Sequence, residues 1–277
     1  MVTKQHGRPG GATEAEFLSS YDIRNYDVPL LTVDVVMLAL LEDRVCVQLV
    51  NRPEHPCRGM WALPGGFVDI HQDADLDAAA SRVVSTKTGI QTPYIEQLGA
   101  FGDGARDPRG WTATVVYFAL LDAELLPRDA APRVLTDLRA KSMRLQTGEI
   151  VTGDGPVSAW TEADTAAGEL NLAFDHASLL TAALARLRSK GTYSALPVNL
   201  LPATFTLSRC QAVFELVVGQ RLEKSAFRRR LHDADLLEQV PGAFERGSNR
   251  PAALYRIKPG HEQTVFPGML RGERSRR

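Results

Sequence analysis

Four aspartates, Asp69, Asp73, Asp75 and Asp77, crowd together from the last residue of the stretch "LPGGFVD" (Leu63 to Asp69) onward. Clustered carboxylates suit a hard cation such as magnesium, which takes oxygen ligands. A plainer use competes with this one, because negative charge in the first turn of a helix is favoured by the backbone dipole. Gly65 and Gly66 lack a Cβ, so the backbone there can turn sharply and approach a ligand closely. Farther along, "EKSAFRRRL" from Glu223 to Leu231 concentrates arginines. The planar guanidinium fork pairs with guanine O6 and N7 or with phosphate oxygens. Asp175-His176 has the composition of an acid–imidazole pair, yet at a helix start capping plus a buried contact is the plainer role. Cys46, Cys57 and Cys210 are scattered, with no C-x-x-C spacing and no clustered histidines, which supports neither a disulfide framework nor a zinc site.

The elements that must position these groups are legible in the pattern. "PLLTVDVVMLALLEDRVCVQLVNR" predicts two strands, Leu30 to Leu41 and Arg44 to Asn51, joined by a tight Glu42-Asp43 turn. A short strand leads into Pro64-Gly65-Gly66, and a helix is expected from Asp73 to Thr88, with Asp73 or Asp75 at its cap and Gly89 at its stop. Strands over Tyr94 to Phe101, Ala113 to Leu121 and Val157 to Trp160 follow. "LAFDHASLLTAALARLRSK" then closes an α/β body as an amphipathic helix. Beyond a linker expected over 189–196, Leu207, Cys210, Phe214 and Val217 fall on one helical face that ends at Gly219. A second helix from about Lys224 to Asp233 buries Phe227 and Leu231. "LLEQV" and "AALYRI", separated by a loop containing Pro241, Gly242, Gly247 and Pro251, form a hairpin. Helix, tight turn, helix and hairpin is the layout of a winged helix-turn-helix.

Composition sets outer bounds. With 277 residues, 44% hydrophobic and 23% charged, the chain has material for two cored domains. No apolar run reaches bilayer-spanning length and the N-terminus does not read as a secretory signal, so a cytoplasmic location is expected. The net charge of −1 hides a split: residues 197 to 277 carry 14 Lys+Arg against 8 Asp+Glu. The first 196 residues carry the opposite excess. A basic second half points to a polyanion partner.

The first domain resembles the Nudix fold, whose signature is G-x5-E-x7-R-E-U-x-E-E-x-G-U with U aliphatic. In "SRVVSTKTGI", Arg82 matches the motif arginine, Val84 the first U, Gly89 the glycine and Ile90 the final U. Val83, Thr86 and Lys87 occupy the glutamate slots. Gly66 matches the opening glycine only with about two residues inserted, leaving Gln72 or Ala74 where the first glutamate belongs. In that family the glutamates hold the magnesium that neutralises a diphosphate and activates water. Lys87 instead places a positive charge where the cation would sit. At an effective dielectric of about 20, like charges about 4 Å apart repel by roughly 4 kcal/mol.

Taken with the winged helix, the whole resembles the NrtR family of Nudix-related regulators of NAD metabolism. The resemblance implies a Nudix-like α/β domain of mixed sheet and flanking helices over 17–188, and a DNA-binding winged helix over 197–260. A flexible leader (1–16) and a basic tail (261–277) complete the expected division. It implies a homodimeric repressor of NAD biosynthesis or salvage genes on a palindromic operator, with ADP-ribose or a related nucleotide as effector and no metal or other cofactor. The alternative is an active hydrolase of ADP-ribose-like substrates using the displaced aspartates. On the ligand side, Gly65 and Gly66 would admit the diphosphate, Arg52, Arg106 and Arg109 would hold phosphate oxygens, and Phe67 or Trp61 would stack on adenine. On the DNA side, Lys224, Arg228 and Arg229 form the exposed stripe, Arg230 reaches phosphate or packs, and Arg246 and Arg250 flank the wing tip.

Overall fold

The computed structural model describes residues 13–41, 43–91, 94–126, 158–168, 170–245 and 251–268. Helix α1 (Glu14–Ser20) opens on a capping box between Thr13 and Glu16 and buries none of its residues. It begins inside the segment, 1–16, expected to be a flexible leader. The residues before Thr13 lie outside the described part of the chain, as do Glu42 of the expected turn and Val157.

The body is one mixed sheet. Strands β1 (Leu30–Leu41), β2 (Arg44–Asn51), β3 (Trp61–Ala62), β4 (Gly65–Phe67), β5 (Ile95–Asp103), β6 (Thr112–Leu121) and β7 (Ser158–Glu162) belong to it. Its main path runs β3-β2-β1-β6-β5, with β4 paired to β1 and β7 to β2. The central β1–β6 pair is parallel and the others are antiparallel. β1 is covered on both faces, so it reads as a continuous apolar run in place of an alternating one. Val33, Val35, Met37, Ala39 and Leu41 face a cluster with Val83 and Val84 of helix α2 (Leu76–Thr88). Val36, Leu38 and Leu40 face the opposite cluster, with Leu179, Leu180, Ala183 and Leu187 of helix α4 (His176–Gly191). A short helix α3 (Ala163–Gly168) precedes α4.

Helix α2 starts at Leu76, later than the aspartate pattern suggests. Asp75 is its cap, accepting from the Ala78 N–H at 2.8 Å. Asp73 lies outside the helix and pairs with Arg82 at 2.6 Å.

The C-terminal part comprises helices α5 (Leu207–Val218) and α6 (Lys224–Asp233) and a sheet of β8 (Phe205–Thr206), β10 (Ala252–Ile257) and β9 (Leu237–Glu245). Both helix bounds agree with the apolar spacing, and Gly219 ends α5 with a φ of 71°. Pro241 and Gly242, expected in the wing loop, lie within β9. They lie where the register with β10 shifts, between the pairs Ala253–Phe244 and Tyr255–Gln239, so the extra residues are on β9 and let that strand bend.

The expected linker is not one. Ser189, Lys190 and Gly191 are the last turn of α4, and Ala195 and Leu196 are buried at 0% and 2% exposure. Gly191 packs closely: a Cβ there would lie 3.0 Å from a Val217 methyl on α5. Nor is the start of the expected tail free, since Ala195 N–H donates to Thr264 O at 2.8 Å and Phe266 N–H to Tyr193 O at 2.7 Å. Phe266 is buried against Phe214. One apolar cluster therefore runs from β1 through α4 and the turn at Leu196–Leu200 into α5 and α6. The remainder of the tail, from residue 269, lies outside the described residues.

Candidate functional site

A cleft of about 270 Å³ opens where β1, β4, the loop after β2, the loop between β5 and β6 and the start of α4 converge. Arg52, Gly65, Gly66, Phe67, Arg106 and Arg109, widely spaced in sequence, all line it. The same wall includes residues outside the expected ligand-binding set: Asp34, Glu54, Lys87, Phe174 and His176.

Asp34 organises the floor. It projects from the middle of β1 and is 5% exposed, an unusual position for a carboxylate and one that requires partners. Thr114 Oγ1 donates to its Oδ2 at 2.8 Å, Arg106 Nη2 approaches the same oxygen at 3.4 Å, and His176 Nε2 lies 3.5 Å from Oδ1. Its presence as the single charge in "LLTVDVVMLALL" is the signal by which the sequence could have disclosed it. His176 Nδ1 accepts from the Leu63 N–H at 2.9 Å, which fixes the ring and assigns the remaining proton to Nε2, facing Asp34. Burial pushes the His176 imidazole below its ordinary range, outweighing the pull of Asp34 and Asp175. The plain reading of Asp175-His176 is thus right for the buried histidine. It fails for the cap: Asp175 makes no side-chain cap bond and accepts from Arg106 instead.

The glycines line the cleft in an extended form. Gly65 and Gly66 form strand, paired with Asp34 and Val33, and make no left-handed turn. A Cβ on Gly65 would fall 2.0 Å from Asp34 Oδ1, so glycine is required by the carboxylate beneath it.

The arginines are unequally available. Arg106 is 9% exposed and pairs with Asp175 at 2.9 Å as well as with Asp34. Burial acts to lower its pKa, but the two carboxylates prevail and raise it. Arg109 is held by Asp107 at 2.7 Å and lies 4.8 Å from the centre of the Phe67 ring. Arg52 donates from Nε to Pro56 O at 2.9 Å and covers Phe174 at 4.7 Å. Phe67 is 42% exposed at the cleft edge, whereas Trp61 is 1% exposed and cannot stack on a ligand.

The displaced aspartates are already engaged. Asp73 is held by Arg82, Asp75 by the cap, and Asp77 accepts from Tyr117 Oη at 2.7 Å. Among the described residues no group of three or more His, Cys, Asp or Glu is arranged to hold a metal ion. No described helix is long and apolar enough to cross a membrane.

A second feature lies on α6. Phe227 and Leu231 are buried, with Phe227 edge-on to Phe214 at 5.1 Å. Lys224, Arg228 and Arg229 are exposed and have no ion pair among the described residues. Arg230 is different: it turns inward, donating to Gly268 O at 3.0 Å and lying 5.2 Å from the Phe266 ring. Its place three residues after Phe227 returns it toward the buried side, which is the packing role, one of the two expected for it. Glu215 fixes the turn between the helices by accepting from Leu222 N–H, Gln211 and Arg221. Arg246 and Arg250 lie outside the described residues.

Comparison with known proteins agrees with this two-part organisation. Residues 30–151 match the NUDIX domain and residues 197–257 the NrtR DNA-binding winged helix domain. The chain is 39% identical over 259 residues to the ADPR responsive transcriptional repressor NtrR of Acinetobacter baylyi, covering 94% of both proteins. It superposes on Shewanella oneidensis NrtR complexed with a 27mer DNA with a TM-score of 0.72 at 34% identity, covering 87% of this chain and 99% of that one. A more distant relative, the ADP-ribose pyrophosphatase of Methanocaldococcus jannaschii, is 28% identical over 120 residues, 42% of this chain and 68% of that protein. A sheet-borne cleft with its acids engaged, sharing a core with a winged helix, and a relative matched nearly end to end lead to one assignment: the chain belongs to the NrtR family.

Proposed function

We propose that this protein is a transcriptional repressor of genes for NAD biosynthesis or salvage, acting in the cytoplasm as a homodimer on a palindromic operator. The observation that carries this reading is the exposed, unpaired stripe Lys224, Arg228 and Arg229 on the second helix of a winged helix-turn-helix. Residues 197–260 act as the DNA-reading half and residues 17–188 as the sensing half, with Arg246 and Arg250 on the DNA backbone. ADP-ribose or a related nucleotide binds the cleft, its adenine against Phe67 and its phosphates near Arg52, Gly65, Gly66 and Arg109. Arg106 contributes chiefly by holding Asp34 and Asp175 in place. The bound nucleotide is not cleaved, because Val83, Thr86 and Lys87 offer no carboxylate and the nearby aspartates are occupied. Support comes from the Acinetobacter relative, an ADPR-responsive repressor, and from the DNA-bound Shewanella relative.

The test is a gel shift on the protein's own upstream region, titrated with candidate nucleotides. ADP-ribose is expected to change the retained fraction without being hydrolysed. Arg228→Ala with Arg229→Ala is expected to abolish retention, and log K should fall with log[salt] at about −0.9 per phosphate neutralised. Unchanged binding by the double variant would remove α6 as the reading helix. Magnesium-dependent release of AMP at catalytic protein concentration would establish the hydrolase reading instead.

A further inference from the structure

The residues present do not fit a magnesium ion. Helix α2 carries one carboxylate, Asp77, and it is bonded to Tyr117. Asp73 and Asp75 are consumed by Arg82 and by the helix cap. What α2 does bring to the cleft is Lys87, in its last turn. Val83 packs one turn earlier; its Cγ2 would lie only 3.2 Å from a Cβ at Gly66. That contact seats α2 against the glycine strand and sets Lys87, four residues on, beside the cleft mouth.

Four cations line the cleft: Arg52, Lys87, Arg106 and Arg109. Arg106 and Arg109 are engaged by three carboxylates, Asp34, Asp175 and Asp107, and Glu54 lines the cleft as a fourth acid close by. Arg52 has no carboxylate partner among the described residues, but a carbonyl and a ring hold it in position. Lys87 is exposed and has no carboxylate, carbonyl or ring partner among the described residues. Lys87 and Arg52 are therefore the lining cations without a carboxylate partner among the described residues; with Glu54 also in the wall the cleft as a whole is near neutral, so what Lys87 offers an anion is its freedom from a partner. An ammonium carries three donors on a flexible stem and can meet phosphate oxygens as a point charge.

We propose that Lys87, together with Arg52 in the same cleft wall, takes the place of the divalent cation against the ligand's diphosphate, so that the effector is bound without metal. This rests on the nucleotide-sensing reading above and adds to it a metal-independent mode of recognition. At position 87 a lysine in a glutamate slot thus withdraws a metal ligand and supplies an anion contact in the same place.

The experiment is calorimetric titration of the full chain with ADP-ribose, in buffer containing magnesium and in buffer containing EDTA. Wild type is expected to bind with the same affinity in both, within about twofold. Lys87→Met should weaken binding in both buffers by roughly 10- to 100-fold, the loss of a charge-assisted hydrogen bond. Lys87→Arg should retain most of the affinity. Because Lys87 is exposed, thermal melts of both variants should coincide with wild type. Lys87→Met binding like wild type, or wild-type binding that vanishes in EDTA, overturns the lysine's role and leaves nucleotide sensing standing. No ADP-ribose binding by wild type in either buffer overturns both.

Discussion

Gly65→Ala tests the architecture of the cleft more directly than any charge substitution. A methyl group at this position would sit 2.0 Å from Asp34 Oδ1, 3.1 Å from its Cγ and 3.2 Å from Val33 O. Strand pairing between β4 and β1 prevents the backbone from retreating, so the carboxylate must move. Moving it breaks the 2.8 Å bond from Thr114 and the approach of Arg106. Overpacking of this kind costs about 1–3 kcal/mol, and disturbing a buried, charged hydrogen bond adds about 1.5–3 kcal/mol. A loss of roughly 3–5 kcal/mol follows, which lowers the melting temperature on the order of 10 °C for a chain of this size. Urea unfolding gives the free energy, and Gly66→Ala is the control. Its new methyl would meet only a side-chain carbon, Val83 Cγ2, at 3.2 Å, with an expected cost below about 1 kcal/mol. In an Asp34→Ala background the Gly65→Ala penalty should shrink, because the obstructing oxygen is gone. Equal costs for the two glycine variants, or additive costs for Asp34→Ala and Gly65→Ala, would refute the carboxylate as the reason for the glycine.

Three further outcomes are expected. Arg230→Ala should lose about 1–2 kcal/mol of stability, from its carbonyl bonds and its contact with Phe266, while the salt slope of operator binding stays at the wild-type value; a slope reduced by about 0.9 would mean that it contacts phosphate. His176 is buried and its pKa lies below the ordinary 6.5, so the unfolded chain takes up a proton that the folded chain refuses. Stability is therefore full above about pH 6.5 and falls as pH drops below it, by at most about 1.4 kcal/mol per pH unit until the folded value is reached. His176→Gln, which keeps an acceptor for the Leu63 N–H, should flatten that limb in denaturant titrations run at successive pH values. Calorimetry of the full chain should show one cooperative transition despite two domain types, whereas two resolved peaks would contradict the shared core.

Much of the fold was legible because its signals are local. The bounds of β1, β2 and α6 follow from apolar runs and from Phe227 and Leu231 at helical spacing, and Gly219 marks its helix end by a backbone conformation few other residues tolerate. The linker was misread for a physical reason: "SKGTYSA" has the small polar composition of a tether, while its burial comes from partners far away in sequence, Thr264 and Phe266. In the cleft, residue types pointed to the arginines and glycines that line it, but pairing decides which of them is available. Arg106 and Arg109 look alike in "RDPRG", and only the fold reveals that Asp34 and Asp175 capture the first. Asp34 and Lys87 were visible as anomalies, one as a charge in an apolar strand and one as a cation in an acid's place.

The short ladder that joins residues 193–195 to 264–266 stitches the far end of the DNA-reading half back to its beginning, beside α4. The stretch just before the winged helix and the stretch just after it are therefore held to each other next to the end of α4. Such a winged helix is no interchangeable cassette: grafted onto another receptor, it would have to bring α4 and the segment through Phe266 along, or arrive with its apolar seam open.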